Sequence, residues 1–502
     1  MFKGIYLENF QGFGGGQYIP LRPLTLIFGP NSSGKSSVLR ALRLVQQSLT
    51  QEVNNNSIKF LGSGGHVDLG TFKTLVHRHD DSRTVKIGVA LSRDENDSGL
   101  DKILFSLSEG FACKSITFEG TYCIDGRDPE HIVLTFEQTE TGSSFKGWNL
   151  DSESQSNLDD VSRMWLKANE RLFAFNPPGG KRAKAKPAAN VDSQIEQVLD
   201  MVRETPWSLR GFMPRRPFDP TKLISRSKTS ETGLFPLWIV AMRLSESGPE
   251  SMFFDESKKL IRRLSKENIP FIGPLRTVPE RITFVNGNTR SQEADARDLA
   301  PALAENTKVR KVISSWLFNT TNGQYRLQFK NFNSPSLKAF GRAGALVLED
   351  VKTDTPVAFA DAGTGLSQIL PILEKLALSS KNHASKSETL SSQVILIEQP
   401  ELHLHPRMQA ELASLFVSHL KDAESQQVIA ETHSEAMLLR LQAEIQRGNF
   451  DPSDVSLVYV DKNEESGESQ VTVIPVGSDG SFLKAWPESF SELRLSEIRG
   501  TR

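Results

Sequence analysis

Hydrophobic and polar positions fall into three textures along the chain. Near the start, Ile5, Leu7 and Phe10 mark one strand, and Pro23 to Phe28 (PLTLIF) marks a second of the buried, continuous kind. From Ser36 to Ser48, Val38, Leu39, Leu42, Leu44 and Val45 recur at a spacing that predicts a helix with one apolar side. Between about 65 and 150, TVKIGVAL, ILFSL, SITFEG and IVLTFEQ are short strand-like runs parted by Gly, Asp and Ser, which predicts an antiparallel sheet.

The second texture runs from about 155 to 340. NPPGGKRAKAKPAAN (176–190) reads as a loop from its Pro, Gly and small residues, and helical patterns follow at Gln194 to Val202 and Ser257 to Leu264. The third texture is α/β again. ALVLED and PVAFA read as strands, Leu366 to Leu378 as a helix, VILIE as a buried strand, Arg407 to Leu420 as a helix, and VIAETH and VSLVYV as strands. No internal repeat is visible. The expected organisation is a first lobe over 1–150, a largely helical insertion over 151–339, and a second lobe over 340–476. A tail over 477–502 carries Phe482, Trp486, Pro487 and Phe490, expected to pack back on the body.

Composition narrows the class. The 502 residues are 38% hydrophobic and 24% charged, with ordinary Gly and Pro usage, which excludes collagen-like and wholly disordered chains. With 59 Lys and Arg against 61 Asp and Glu, net charge offers no global sign of nucleic-acid or membrane binding. Cys113 and Cys123 alone build neither a disulfide framework nor a zinc site, so a reducing cytoplasm is the expected compartment. The first residues lack the apolar core of a secretory signal. The longest apolar stretch, Leu234 to Met242, is broken by Pro236 and falls short of the roughly 20 residues a spanning helix needs, so no membrane association is expected.

Four segments carry chemistry. Gly29, Pro30, Asn31, Ser32, Ser33, Gly34, Lys35 and Ser36, followed by Ser37, match the G-x-x-x-x-G-K-[ST] phosphate loop between a buried strand and a helix. The glycines let backbone N–H groups face phosphate oxygens and the helix N-terminus adds positive potential. Lys35 is then expected on the β- and γ-phosphates of ATP, and the Ser36 hydroxyl on Mg2+. The second segment is VILIE ending at Glu398, followed by Gln399, Pro400 and Glu401. A buried strand ending in an acid places a Mg2+-facing carboxylate where nucleotide binds. The third is Asp361-Ala-Gly363-Thr-Gly365-Leu-Ser367-Gln368, small residues opening an apolar helix. It reads either as an anion site or as an ordinary helix cap. The fourth is VIAETHS, whose His433 is either a satisfied surface histidine or a γ-phosphate sensor.

In this order the four segments resemble the ATP-binding-cassette (ABC) ATPases, and more narrowly the SMC/RecF/OLD-like branch. IEQPELHLHP and ETHSE are similar to that branch's acid-rich and THS strings, and IYLENFQGF to its N-terminal strand. The fuller pattern, with VDLGTFKTLVH, FIGPLRTVPER and DAGTGLSQILPIL, resembles bacterial ATPases whose C-terminal piece has no assigned function. The resemblance implies a two-lobed ABC head, a mixed sheet plus an antiparallel β lobe, interrupted by the insertion. It further implies that two heads join head to tail and sandwich ATP, as a homodimer or higher homo-oligomer. Lys35 and Ser36 of one head would face Gly363, Gly365, Ser367 and Gln368 of the other.

One position departs from the resemblance. The family's usual general base after the strand-end acid is a carboxylate, and here it is Gln399. An amide orients water without taking its proton. Either hydrolysis is slow and binding is the main switch, or Glu401 serves instead. The family's Q-loop has no clear counterpart. Within 181–228, eleven Lys and Arg face five Asp and Glu, with Trp207, Phe212 and Phe218 interleaved. That stretch is either a DNA or RNA contact or a solvated loop over core aromatics. Arg276 and Arg281 in GPLRTVPER read either as phosphate contacts or as structural, with the structural reading preferred. The acids at Asp461, Glu464 and Glu465 read as a hairpin loop rather than a TOPRIM-type nuclease centre, so no nuclease is expected in this chain. By resemblance, the expected role is the ATP-driven sensor of an antiphage system that controls a separate nuclease or toxin. The rivals are a RecF-like DNA-repair clamp and a scaffold that holds ATP without turnover.

Overall fold

The computed structural model describes residues 2–49, 60, 67–91, 99–122, 130–141, 145–150, 152–168, 191–203, 208–210, 213–215, 269–276, 278–285, 296–332, 342–379, 393–421 and 426–484. The expected 176–190 loop, the Ser257 to Leu264 helix, Cys123, Trp486, Pro487, Phe490 and most of the basic stretch lie outside the described residues.

The strands are β1 (Phe2–Glu8), β2 (Gln17–Pro20), β3 (Leu24–Phe28), β4 (Val85–Leu91), β5 (Gly99–Ser108), β6 (Ala112–Tyr122), β7 (Glu130–Thr141), β8 (Phe145–Leu150), β9 (Ser208–Arg210) and β10 (Met213–Arg215). Then come β11 (Phe271–Ile272), β12 (Thr283–Val285), β13 (Tyr325–Asn331), β14 (Arg342–Asp350), β15 (Thr355–Ala358), β16 (Gln393–Glu398), β17 (Gln426–Glu431), β18 (Val455–Lys462) and β19 (Ser469–Ile474). The helices are α1 (Lys35–Leu49), α2 (Phe72–Leu75), α3 (Ser152–Ala168), α4 (Val191–Arg203), α5 (Ala296–Glu305), α6 (Thr307–Thr320), α7 (Gly363–Ser379), α8 (Pro406–Lys421) and α9 (Glu435–Gln446).

The chain divides into two compact units. One comprises Met1–Ile5, Gly12–Arg43 and Glu267–Arg502, and the other Tyr6–Gln11 and Leu44–Lys266. Residues after Glu267 therefore group with the α/β unit, where the sequence textures group 267–339 with the insertion. The reason is β11: only two residues long, it pairs in parallel with Leu396 and Ile397 of β16.

The first unit is built on a six-stranded sheet in the order β11-β16-β17-β3-β18-β19. All are parallel except β19, which returns antiparallel on β18. Every residue of β3 and β17 is buried. Strands covered on both faces read as unbroken apolar runs, which is why PLTLIF and VILIE stand out in the sequence. Leu412 and Phe416 of α8, and Met437 and Leu441 of α9, join Leu26, Ile397 and Ala430 in one core. Burying each large apolar side chain contributes roughly 1.5–3 kcal/mol. Helix α9 starts where Ser434 caps it, accepting from the Met437 N–H. A second sheet pairs β12, β13 and β15 antiparallel with β14. The PVAFA strand ends earlier than its apolar run suggests, because Phe359–Asp361 turns as a 3-10 helix. Phe482 packs against the core through its bridge to Val476.

The second unit carries β4 to β8 in sequential antiparallel pairing, as the alternating 65–150 region predicts. Edge-on pairs fill its interior: Phe118 with Phe136 at 5.9 Å and Phe60 with Phe105 at 5.2 Å. Cys113 is buried there, which pushes its thiol pKa far up and leaves it inert. Arg163 of α3 donates to Glu196 of α4 at 2.8 Å.

Candidate functional site

Strand β3 sits mid-sheet between β17 and β18, where the sheet order reverses direction in sequence. In such sheets the crevice outside the strands' carboxyl ends is the ligand site. Here the loop leaving β3 is Gly29 to Ser36, and the neighbouring ends are Glu398 on β16 and Glu431 on β17.

The loop needs its glycines. Gly29 has φ +144°, and a Cβ there would lie 1.9 Å from the Val460 carbonyl oxygen. Gly34 has φ +110°, and its Cβ would lie 2.7 Å from Ser469 Oγ. Ser32 takes a left-handed φ of 62°. Ser469 is buried, donates to the Ser33 carbonyl at 2.6 Å, and has its own N–H on Gly12 O. The β18–β19 hairpin thus backs the loop. Its turn closes with Gly467 N–H on Asn463 O, so Asp461, Glu464 and Glu465 flank a hairpin, as the sequence reads. Pro30, Asn31 and Ser32 are exposed, Ser37 is buried, and the Ser33 hydroxyl is buried without a hydrogen-bond partner.

Lys35 is buried and donates to Pro30 O at 2.7 Å, with Glu431 Oε1 at 3.8 Å. Burial holds the ammonium pKa below its usual range, against the pull of Glu431 and Glu401. Ser36 Oγ donates to Glu431 Oε2 at 2.6 Å. Glu398 and Glu431 are register partners across β16 and β17. Burial, then the Glu431 charge, raises the Glu398 pKa, while Arg40, Arg43 and Arg276 oppose the rise. Ser36, Glu398 and Glu431 form an all-oxygen set, the kind a hard cation such as Mg2+ takes. Among the described residues no three His, Cys, Asp or Glu side chains converge to hold a metal by themselves. That composition suits an ion that takes its remaining ligands from phosphate and water.

Gln399 takes a left-handed φ of 46° and is held at both ends. Its N–H donates to Glu431 O at 2.8 Å, and its carbonyl accepts from Arg276. Glu401 accepts from Thr432 Oγ1 at 2.8 Å and from the His433 N–H at 2.6 Å, one bond on each carboxylate oxygen. Burial raises its pKa in spite of these bonds. His433 has a buried Nε2 with no partner, and burial, then the Lys35 charge, lowers its pKa.

The segment opening α7 lies on the turn after Glu398. A Cβ on Gly365 would lie 2.6 Å from His403 O, so only glycine allows this approach. Gly363 (φ +70°) and Thr364 are exposed, and Ser367 Oγ donates to Thr364 O at 2.8 Å. Gln368 Nε2 donates to Arg276 O at 2.7 Å. Arg276 is buried and Arg281 pairs bidentately with Asp361.

Glu431 is the site residue that no sequence motif names, and Arg276 enters the site through backbone bonds that the sequence does not report. Glu431 lies inside VIAETH, two residues before His433. Its signal is that two adjacent buried strands, VILIE and VIAE, each end in Glu.

Comparisons with known proteins follow the same two halves. A family model described as "AAA domain" matches residues 5–177, and one described as "AAA ATPase domain" matches 256–438. The chain is similar to the DNA replication and repair protein RecF of Shewanella woodyi, at 27% identity over 34% of this chain and 44% of that protein. It is also similar to the mouse (Mus musculus) structural maintenance of chromosomes protein 1B, at 25% identity over 40% of this chain and 17% of that protein. The chain spans less than half the length of these curated relatives. Among solved structures, the SMC head domain from Thermotoga maritima aligns over 95% of this chain and 99% of its own, at 10% identity and a TM-score of 0.34. No helix among the described residues is long and apolar enough to cross a membrane. The first family match takes in Gly29 to Ser37 and the second takes in Glu398 to His433, so each half of the site lies within an AAA-type match, in a chain similar to RecF and SMC proteins.

Proposed function

We propose that the chain binds Mg-ATP at Gly29–Ser37 and uses it to set its own assembly state, as the sensor or regulator subunit of an antiphage system that acts through a separate nuclease or toxin. The observation that carries the nucleotide part is the meeting of a glycine-built loop with Lys35, Ser36, Glu398 and Glu431 at the ends of parallel strands. Backbone N–H groups and Lys35 would hold the phosphates. Ser36 and Glu398, with Glu431, would hold Mg2+, which neutralises phosphate charge when bound. The segment Gly363–Gln368 would meet the loop of a second copy through its exposed Gly363 and Thr364, with Gly365 beside them and the buried Ser367 and Gln368 behind, holding the segment in place.

Turnover is expected to be slow. Gln399 orients water without accepting its proton, and both oxygens of Glu401 are already engaged by Thr432 and His433. His433 Nε2, unpartnered and neutral, would contact the γ-phosphate. The antiphage role rests on resemblance in the motif strings. Similarity to RecF supports a second reading, a DNA-repair clamp that binds DNA through 181–228.

The deciding measurement is ATP turnover with mass photometry, comparing the wild type with Lys35→Ala. ATP-dependent assembly that Lys35→Ala abolishes supports the regulator. Assembly indifferent to ATP overturns it and leaves the scaffold. Salt-sensitive DNA affinity lost in an Arg215→Ala/Arg216→Ala variant supports the clamp.

A further inference from the structure

Arg276 lies in a Pro- and Gly-containing turn with no helix or strand of its own, yet it is only 7% exposed. Its guanidinium donates to three backbone carbonyls: Gln368 O at 3.1 Å, Glu398 O at 2.7 Å and Gln399 O at 3.2 Å. Its own carbonyl accepts from Gln368 Nε2 at 2.7 Å. One residue therefore joins the second turn of α7 to Glu398, the last residue of β16, and to Gln399 just after it, and the α7 side of the link is reciprocal. Five residues on, Arg281 grips Asp361, just before α7. The 276–281 segment thus holds the start of α7 at two points.

The link also bears on a strained position. Gln399 sits at a left-handed φ that a non-glycine residue adopts only when its surroundings impose it. Glu431 O takes its N–H and Arg276 takes its C=O. Removing the second hold lets Gln399 relax. Moreover, Arg276 Nε and Gln368 Oε1 are both buried without partners. A donor and an acceptor left unspent on the same two residues give the pair room to rearrange when α7 is displaced.

We infer that Arg276 is a positioning residue that couples displacement of the Gly363–Gln368 segment to the backbone at Gln399 and the turn that follows. This rests on the reading above, in which that segment meets a second copy and Gln399 faces the attacking water. Contact made at α7 then sets the turnover geometry within the same chain, with Gln368 as the grip and Arg276 as the rod.

The test uses the full chain, with hydrogen–deuterium exchange and steady-state kinetics side by side. The amides of Gln399, Leu402 and Leu404 are hydrogen-bonded in this turn and serve as the readout. Gln368→Met removes the amide grip and spares the three guanidinium bonds. Arg276→Lys keeps the charge and loses the fork. The expected result is exchange over 399–404 faster by about tenfold and kcat down about tenfold in both variants, with ATP KM nearly unchanged, the melting temperature nearly unchanged in Gln368→Met and lowered in Arg276→Lys. The double variant is expected to be no worse than the worse single one, as for residues acting as a unit. If Arg276→Lys fails to fold, Gln368→Met decides. Unchanged exchange over 399–404 in Gln368→Met overturns the coupling, and so does a rise in KM at constant kcat. A wild type without ATP turnover counts against the ATPase reading alone, because the exchange comparison needs no nucleotide.

Discussion

Ser36 Oγ and Glu431 Oε2 are joined by a 2.6 Å hydrogen bond, with Lys35 Nζ 3.8 Å from the other oxygen of the same carboxylate. Glu431 thus occupies both groups that phosphate and Mg2+ would use. Replacing Glu431 with Gln removes a negative charge from the phosphate path and frees Lys35. ATP affinity measured in EDTA is expected to rise about fivefold to tenfold, while the affinity gained on adding Mg2+ shrinks. Titration of a fluorescent ATP analogue with and without Mg2+ checks this. Weaker binding in EDTA would count against the assignment.

Glycines at positive φ differ in what surrounds them. Gly363→Ala meets open space and suffers only backbone strain, about 1–2 kcal/mol. Gly29→Ala meets the same kind of strain plus the Val460 carbonyl at 1.9 Å, a backbone atom that cannot swing aside. Thermal melts should show a drop of a few degrees for Gly363→Ala and a larger one for Gly29→Ala, with nucleotide binding lost only in the latter.

His433 gives a pH signature of known sign. Its folded pKa lies below the unfolded 6.5, so the unfolded chain binds the proton more readily. The neutral ring's contribution to stability is full above 6.5 and is lost as pH falls below it. His433→Asn lacks this penalty, so its melting temperature relative to wild type should climb between about pH 6.5 and 5. A constant offset between the two melts over that range would show that the ring titrates normally.

Gln399→Glu supplies a carboxylate where only an amide stands. If Gln399 faces the attacking water, phosphate release should accelerate at least about tenfold, toward the 10²–10⁴ that general bases contribute. No acceleration, together with loss of turnover in Glu401→Gln, would transfer the base to Glu401.

Much of this was legible in the sequence because each signal was local. The phosphate loop announces itself where PLTLIF meets Gly29, and the Glu398 strand is a run of four apolar residues closed by an acid. Glu431 was hidden because its partner in the site is set by strand order, and no spacing in the sequence reports that β17 lies between β16 and β3. Arg276 reads as structural from the sequence, and its bonds to backbone carbonyls agree. What the sequence could not convey is that those carbonyls belong to Glu398, Gln399 and Gln368. The grouping of 267–339 failed to show for a different reason. Strands of two or three residues, such as β11 and β12, are too short to have a period.

Ser469, wedged between Gly12 and Gly34 and bonded to Ser33 O, makes the β18–β19 hairpin the backrest of the phosphate loop. The hairpin's tip at 463–468 is outside that wedge and largely exposed. A small environment-sensitive dye on a Glu465→Cys variant would therefore sit a short lever away from the phosphate loop without touching it. The fold offers an optical port on nucleotide binding itself, read in real time and independently of any change in assembly state.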